Sequence, residues 1–163
     1  SENTIIGNTV LYGATAGNLF ALGRAGERFA VRNSGASVVI EGCGTNGCEY
    51  MTGGVAVILG AIGANFGAGM TGGMAYLYDP DGVAEEFMNL ESLVTCAVSH
   101  PHWEAQLKGM IQRHAELTGS LKAKAILNDW ANERANFLQA CPKEMLVHLP
   151  HPLSDEREAV PAE

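Results

Sequence analysis

In the first eighty or so residues, apolar side chains come in short runs closed off by glycine, as brief buried strands separated by tight corners require. The runs recur. Gly17, Gly35, Gly53 and Gly72 stand 18, 18 and 19 residues apart, preceded by Ala16, Ser34, Thr52 and Thr71, and they open the stretches NLFAL, ASVVI, GVAVI and GMAYL. Five positions past these glycines stand Leu22, Ile40, Ile58 and Leu77, and three past them stand Phe20, Val38, Ala56 and Ala75. Residues two apart on a strand share a face, so the spacing predicts two inward columns. Gly23, Gly42 and Gly60 mark a second corner in each repeat.

A period near 18 residues is too short for a helix pair and too glycine-bound for a strand with a covering helix. The economical solution is a mainly β fold, a right-handed parallel β-helix with coils of about 18 residues whose neighbours pair at roughly 4.8 Å spacing. Of the 20 glycines, 18 lie in residues 1–82, so the pattern changes near Asp79-Pro80-Asp81-Gly82. Phe87 to Val98 lacks a helical stripe and reads as an extended or mixed closing segment.

From Pro101 the period lengthens to that of a helix. Trp103, Leu107, Met110, Ile111 and His114 share one face, and Gly119 stops the run as a helix C-terminus does. A second helix is predicted from about Ser120 to Ala140, with Leu127, Trp130, Phe137 and Leu138 as its buried stripe and Pro142 past its end. The expected organisation is therefore coils and closing segment over 1–98, a pair of packed helices of the same domain over 99–141, and a tail over 142–163 ending in acidic SDEREAVPAE.

A net charge of -8, with Lys108, Lys122, Lys124 and Lys143 scattered through the second half, argues against nucleic-acid or anionic-membrane partners. The start, SENTIIGNTV, carries neither a basic leader nor an apolar signal segment, and uninterrupted apolar stretches of membrane-spanning length are lacking, so a soluble cytoplasmic protein is expected. Cys43, Cys48, Cys96 and Cys141 are unevenly spaced among apolar residues, which suits reduced core thiols.

Candidate chemistry is sparse. Gly42-Cys43-Gly44-Thr45-Asn46-Gly47 has the form G-x-G-x-x-G after a strand-like run. A dinucleotide site needs a helix next and an acid about twenty residues on. The sequence offers Gly53-Gly54 and β-branched residues instead, with no Asp or Glu between Glu49 and Asp79, so a corner of the coil is the favoured reading. Cys43 and Cys48 fit neither zinc nor two-thiol redox spacing. A Cys48–Glu49 nucleophile has no histidine as base. His100 and His102 flank Pro101 at a helix start, where solvated or capping roles compete with a metal. Glu41, Glu49, Arg28 and Arg32 are candidates for ladders between coils or contacts with another domain, against solvated outward positions. No catalytic, cofactor-binding or metal residue is assigned; the repeat positions Gly17, Gly35, Gly53, Gly72, Leu22, Ile40, Ile58 and Leu77 are structural.

The segments GNTVLYGATAG, AGERFAVRNSGA, CEYMTGG and NFGAGMTGGMAYLYD, followed by LTGSLKAKAILNDW, resemble the glycine-rich C-terminal domain of glutamate synthase large chains. The likeness covers most of residues 4–140; Thr45-Asn46 stands where that family commonly has an Asp-His pair. The resemblance implies a parent enzyme that hydrolyses glutamine, channels the ammonia and adds it reductively to 2-oxoglutarate at an FMN and an iron–sulfur cluster. Those activities belong to other domains of the large subunit, and none of their motifs matches here. The resemblance thus implies a non-catalytic structural and interdomain-contact domain, partnered by the rest of the large subunit. The alternative is a glycine-repeat structural subunit of another oxidoreductase such as formylmethanofuran dehydrogenase. An uncapped first coil would expose strand edges with Leu11, Leu19 and Phe20, so self-association as a symmetric dimer is also expected.

Overall fold

The computed structural model describes residues 3–154. Its centre is a stack of coils whose short strands pair in parallel: β2 (Asn18–Phe20), β4 (Ser37–Ile40), β5 (Thr52–Ile58) and β6 (Gly72–Tyr78). A smaller parallel pair, β1 (Thr4–Ile6) with β3 (Arg24–Ala25), forms a second side of the first coils. The main sheet continues in antiparallel fashion through β8 (Phe137–Pro142) to β7 (Leu93–Ala97), giving the order β2-β4-β5-β6-β8-β7. These strands close one end of the stack; β2, at the other end, and β7 are the edge strands of the sheet.

Burial on both faces explains why the strands read as unbroken apolar runs. Val38, Ile40, Ala56, Ile58, Ala75 and Leu77 enter the lumen core with Phe29 and Phe66. The alternate residues Val39, Val57 and Tyr76 face the other way, onto Trp103, Leu107, Ile111 and Trp130 of the helical layer. That layer consists of α1 (Pro101–Thr118), α2 (Leu121–Asn128) and the one-turn α3 (Trp130–Glu133). α1 buries Trp103, Leu107, Met110, Ile111 and His114 and ends on left-handed Gly119, at φ 71°.

The register corrects one expected column. Phe20 pairs with Val39, Val39 with Val57 and Val57 with Tyr76, so the coils advance by 19, 18 and 19 residues. Ile40, Ile58 and Leu77 stand in line, but Leu22 does not: the first repeat is displaced by one, and Leu22 is 42 % exposed while Ala21 packs against the lumen core. Likewise Leu19, rather than Phe20, pairs with Val38. Gly17 lies one residue past the equivalent of Gly35, because Gly35 in the next coil lies over Thr15 and Ala16.

The second helix is also shorter than predicted. Asp129, at φ -123° and ψ 40°, ends α2, and Phe137–Pro142 is strand β8 rather than helix. Its alternation shows why: Phe137 and Cys141 enter the helix-side core while Leu138 and Ala140 face the lumen core, a period of two. Beyond β8, Leu149 and Leu153 pack on the helix-side core and the Trp103 indole donates to the Pro152 carbonyl at 2.9 Å. The predicted acidic end, from Asp155 on, lies outside the described residues.

The remaining side of each coil is not a strand. Three columns of residues adopt left-handed backbone: Thr9, Arg28, Asn46 and Asn65; Leu11, Ala30, Cys48 and Gly67; Gly13, Arg32, Tyr50 and Gly69. Their φ values lie between 52° and 72°, and they recur with the same 19, 18 and 19 spacing. The outer two columns donate their N–H to the following coil, as in Arg28 to Thr45 and Arg32 to Glu49, both 2.9 Å. The middle column donates to the preceding coil, as in Ala30 to Val10 at 2.9 Å and Cys48 to Phe29 at 2.8 Å. Each left-handed non-glycine costs roughly 1–2 kcal/mol and each such bond returns a net of about 1 kcal/mol. The arm therefore depends on the coils above and below it to hold its shape.

Candidate functional site

The G-x-G-x-x-G corner is filled by protein. The N–H groups of Cys43, Gly44, Asn46 and Cys48 donate to Ala61, Gly26, Ala64 and Phe29, at 2.8–3.0 Å. A phosphate cradle needs such donors free, and here the flanking coils take them. A Cβ on Gly42 would meet the Arg24 side chain at 2.9 Å and one on Gly44 the Glu27 backbone at 3.0 Å. Cys43 and Cys48 lie fully buried in the lumen core. Burial pushes the Cys43 thiol up to about 12 and the Cys48 thiol up as well, so neither is a thiolate at neutral pH. Cys141 belongs to the helix-side core and Cys96 to β7, so the four sulfurs do not form a cluster-binding set.

His100 caps α1: its Nδ1 accepts from the His102 N–H at 3.0 Å. His102 stacks on His151 with ring centroids 3.9 Å apart, and His100 lies 5.3 Å from the same ring. Desolvation and then the neighbouring imidazoles His151 and His100 lower the His102 pKa. Among the described residues, no group of three or more His, Cys, Asp or Glu is arranged to hold a metal ion. His151 comes from a segment that the sequence presented only as tail, so its approach was not legible beforehand.

The charged residues of the repeat separate into two environments. Arg28 and Arg32 are exposed and Glu49 is half-buried, and among the described residues no ion pair links one coil to the next. Glu41, by contrast, is buried at the end of β4. It accepts a hydrogen bond from Ser120 Oγ at 2.7 Å, and His114 Nε2 lies 3.7 Å away. Ser120 is the N-cap of α2, accepting from the Ala123 N–H at 3.1 Å. His114 is fully buried with neither ring nitrogen hydrogen-bonded, and desolvation, outweighing the attraction of Glu41, lowers its pKa.

A serine, a histidine and a glutamate in one place invite comparison with a nucleophilic triad. The connectivity is wrong for one, because the Ser120 hydroxyl is directed at Glu41, is occupied as a cap and is 1 % exposed. The cluster is a polar rivet between coil stack and helices. The sequence held two signals for it: a histidine within the apolar stripe of α1 and a serine after a helix-ending glycine. What joined them to Glu41, 79 residues from Ser120, was not visible. The cleft beside Lys122, lined by Gly60, Tyr78, Asp79 and Asp81, holds 220 Å³, below the roughly 300 Å³ at which small-molecule sites begin.

A family model described as the GXGXG motif matches residues 1–143. The chain is 61 % identical over 162 residues to the glutamate synthase (NADPH) large chain of Azospirillum brasilense, covering 96 % of this chain and 11 % of that one. It is 56 % identical over 141 residues to ferredoxin-dependent glutamate synthase 2 of Synechocystis, covering 86 % and 9 %. It is 48 % identical over 158 residues to the glutamate synthase (NADH) of Schizosaccharomyces pombe, covering 97 % and 8 %. The chain thus spans about a tenth of the length of these relatives.

Proposed function

The chain belongs to the GXGXG family, and on that premise we propose that it is a non-catalytic structural and interdomain-contact domain of a glutamate synthase large chain. One observation carries the reading: the groups able to do chemistry are committed to holding the fold. The corner amides bond the flanking coils, Glu41 and Ser120 rivet the coils to α2, and His100 caps α1. The parent makes glutamate from glutamine and 2-oxoglutarate in the cytoplasm. Its FMN and iron–sulfur cluster sit in other domains, since the buried thiols here do not fit a cluster and the corner does not fit a phosphate.

Residues 1–98 and 99–141 act as one domain, a reading supported by the six-stranded sheet whose two faces feed both cores. No helix among the described residues is long and apolar enough to cross a membrane. The free edge of β2, with Ile5, Tyr12 and Leu22 exposed nearby in the chain, supports self-association of the isolated protein.

The test is direct. The purified chain is scanned for flavin and iron–sulfur absorbance and assayed for glutamine hydrolysis and glutamate formation. A colourless, inactive protein is the expected result. A chromophore that survives gel filtration, or turnover in either assay, overturns the reading.

A further inference from the structure

The left-handed arm carries side chains that the fold itself does not use. Its two outer columns hold eight residues, and four of them, Gly13, Asn46, Asn65 and Gly69, are types that tolerate positive φ. The other four, Thr9, Arg28, Arg32 and Tyr50, are not, yet they adopt φ of 66°, 57°, 56° and 52°. Arg32 and Tyr50 stand in the same column as Gly13 and Gly69, where glycine fits without strain. In the outer columns the strain therefore falls on Thr9 and on three large, exposed residues in adjacent coils.

These residues give little back to the molecule. Arg28 and Arg32 make no ion pair among the described residues, and the Tyr50 ring touches Gly69 but is 55 % exposed. Strained conformations persist where the surrounding structure enforces them, and they gather at sites of function. Arginine and tyrosine are also the residues that anchor protein interfaces. Arg24, Arg28 and Arg32 are the only cations in residues 1–98 of an acidic chain, and Arg24 is turned to the Gly42 corner. Glu27 precedes Arg28 in the chain, and the Arg32 N–H donates to the Glu49 carbonyl of the next coil at 2.9 Å.

We infer that this arm is the docking surface for another domain of the parent polypeptide, which presents carboxylates to Arg28 and Arg32 and packs on Tyr50. The inference rests on the interdomain reading above and names the face and the chemistry of its partner. Charge selects the occupant: two guanidinium groups with no ion pair among the described residues, on an otherwise acidic stack, favour a carboxylate-bearing surface. The nine-tenths of each relative that lies outside this chain supplies the candidate domains.

The test is hydroxyl-radical footprinting of Tyr50 in the 163-residue chain and in the full-length large chain that carries it. Tyr50 labelling is expected to be several-fold slower in the full-length chain, and Arg28→Glu with Arg32→Glu to restore it. Arg28→Gly with Arg32→Gly is expected to restore labelling too while raising the thermal midpoint of the 163-residue chain, opposite signs that a merely structural role would not produce. Equal labelling in both proteins overturns the inference, as does protection indifferent to charge reversal. Protection of the β2 edge without protection of Tyr50 overturns this inference and leaves the interdomain reading standing. No protection anywhere on the domain sinks both.

Discussion

Ser120 Oγ donates a 2.7 Å hydrogen bond to the buried Glu41 carboxylate, joining the N-cap of α2 to the end of β4. The bond couples the helical layer to a coil that it follows by 79 residues. Ser120→Ala removes the cap and strands a buried carboxylate together. It is expected to cost about 2–3 kcal/mol in denaturant unfolding. Glu41→Gln retains an acceptor for the serine and should cost less than Glu41→Ala; equal costs would show that the rivet contributes nothing.

The same cluster sets a pH dependence. Desolvation holds the folded pKa of His114 below its ordinary value of 6.5, so the unfolded chain takes up a proton more readily than the folded one. The stability from keeping this ring neutral is full above pH 6.5 and is lost as pH falls toward the folded value. His114→Phe should flatten that acid-side decline in thermal melts from pH 7 to about 5. An identical decline in wild type and variant would assign it elsewhere.

Two glycines should respond with opposite signs. A Cβ on Gly72 would sit 2.0 Å from the Thr52 carbonyl oxygen of the coil below, with no flexible side chain to yield. Gly72→Ala is expected to destabilise by about 3 kcal/mol or more. Gly109, inside α1, has nothing within 4 Å of its built Cβ. Gly109→Ala should stabilise by roughly 0.5–1 kcal/mol. Thermal melts of both variants check the pair.

The corrected register gives a further contrast. Ile58→Asp places a carboxylate in a fully buried column and should prevent soluble folding, at a cost of several kcal/mol. Leu22→Asp, at a position 42 % exposed and outside that column, should cost less than about 1 kcal/mol. Soluble yield and circular dichroism distinguish the two. A Leu22 variant as damaging as the Ile58 variant would restore the uncorrected alignment.

The repeat was legible because Ile40, Ile58 and Leu77 obey a fixed spacing that one face of stacked strands imposes. The first coil was misread because glycine marks a corner only to within a residue, and Gly17 sits one past the true equivalent of Gly35. β8 reads as helix in the sequence because Leu127, Trp130, Phe137 and Leu138 satisfy a 3.6-residue period, while the two-residue alternation of FLQAC is too short to stand out. The left-handed arm left only a partial trace, in Gly13, Asn46, Asn65, Gly67 and Gly69. Arg28, Ala30, Arg32, Cys48 and Tyr50 have no local preference for positive φ, and the bonds that hold them there come from other coils. Glu41, Ser120 and His114 likewise meet only through tertiary packing.

The central claim, that this domain supports chemistry without performing it, is tested most directly by steady-state glutamate formation in the full-length large chain. The variant to measure replaces five of the residues with chemical capacity at once: Cys43→Ala, Cys48→Ala, His100→Asn, His102→Gln and His114→Phe. With rates normalised to folded protein, kcat is predicted to be unchanged even where the thermal midpoint falls. A loss on the order of a hundredfold in kcat at an unchanged midpoint, the scale of a missing acid, base or nucleophile, would contradict the account.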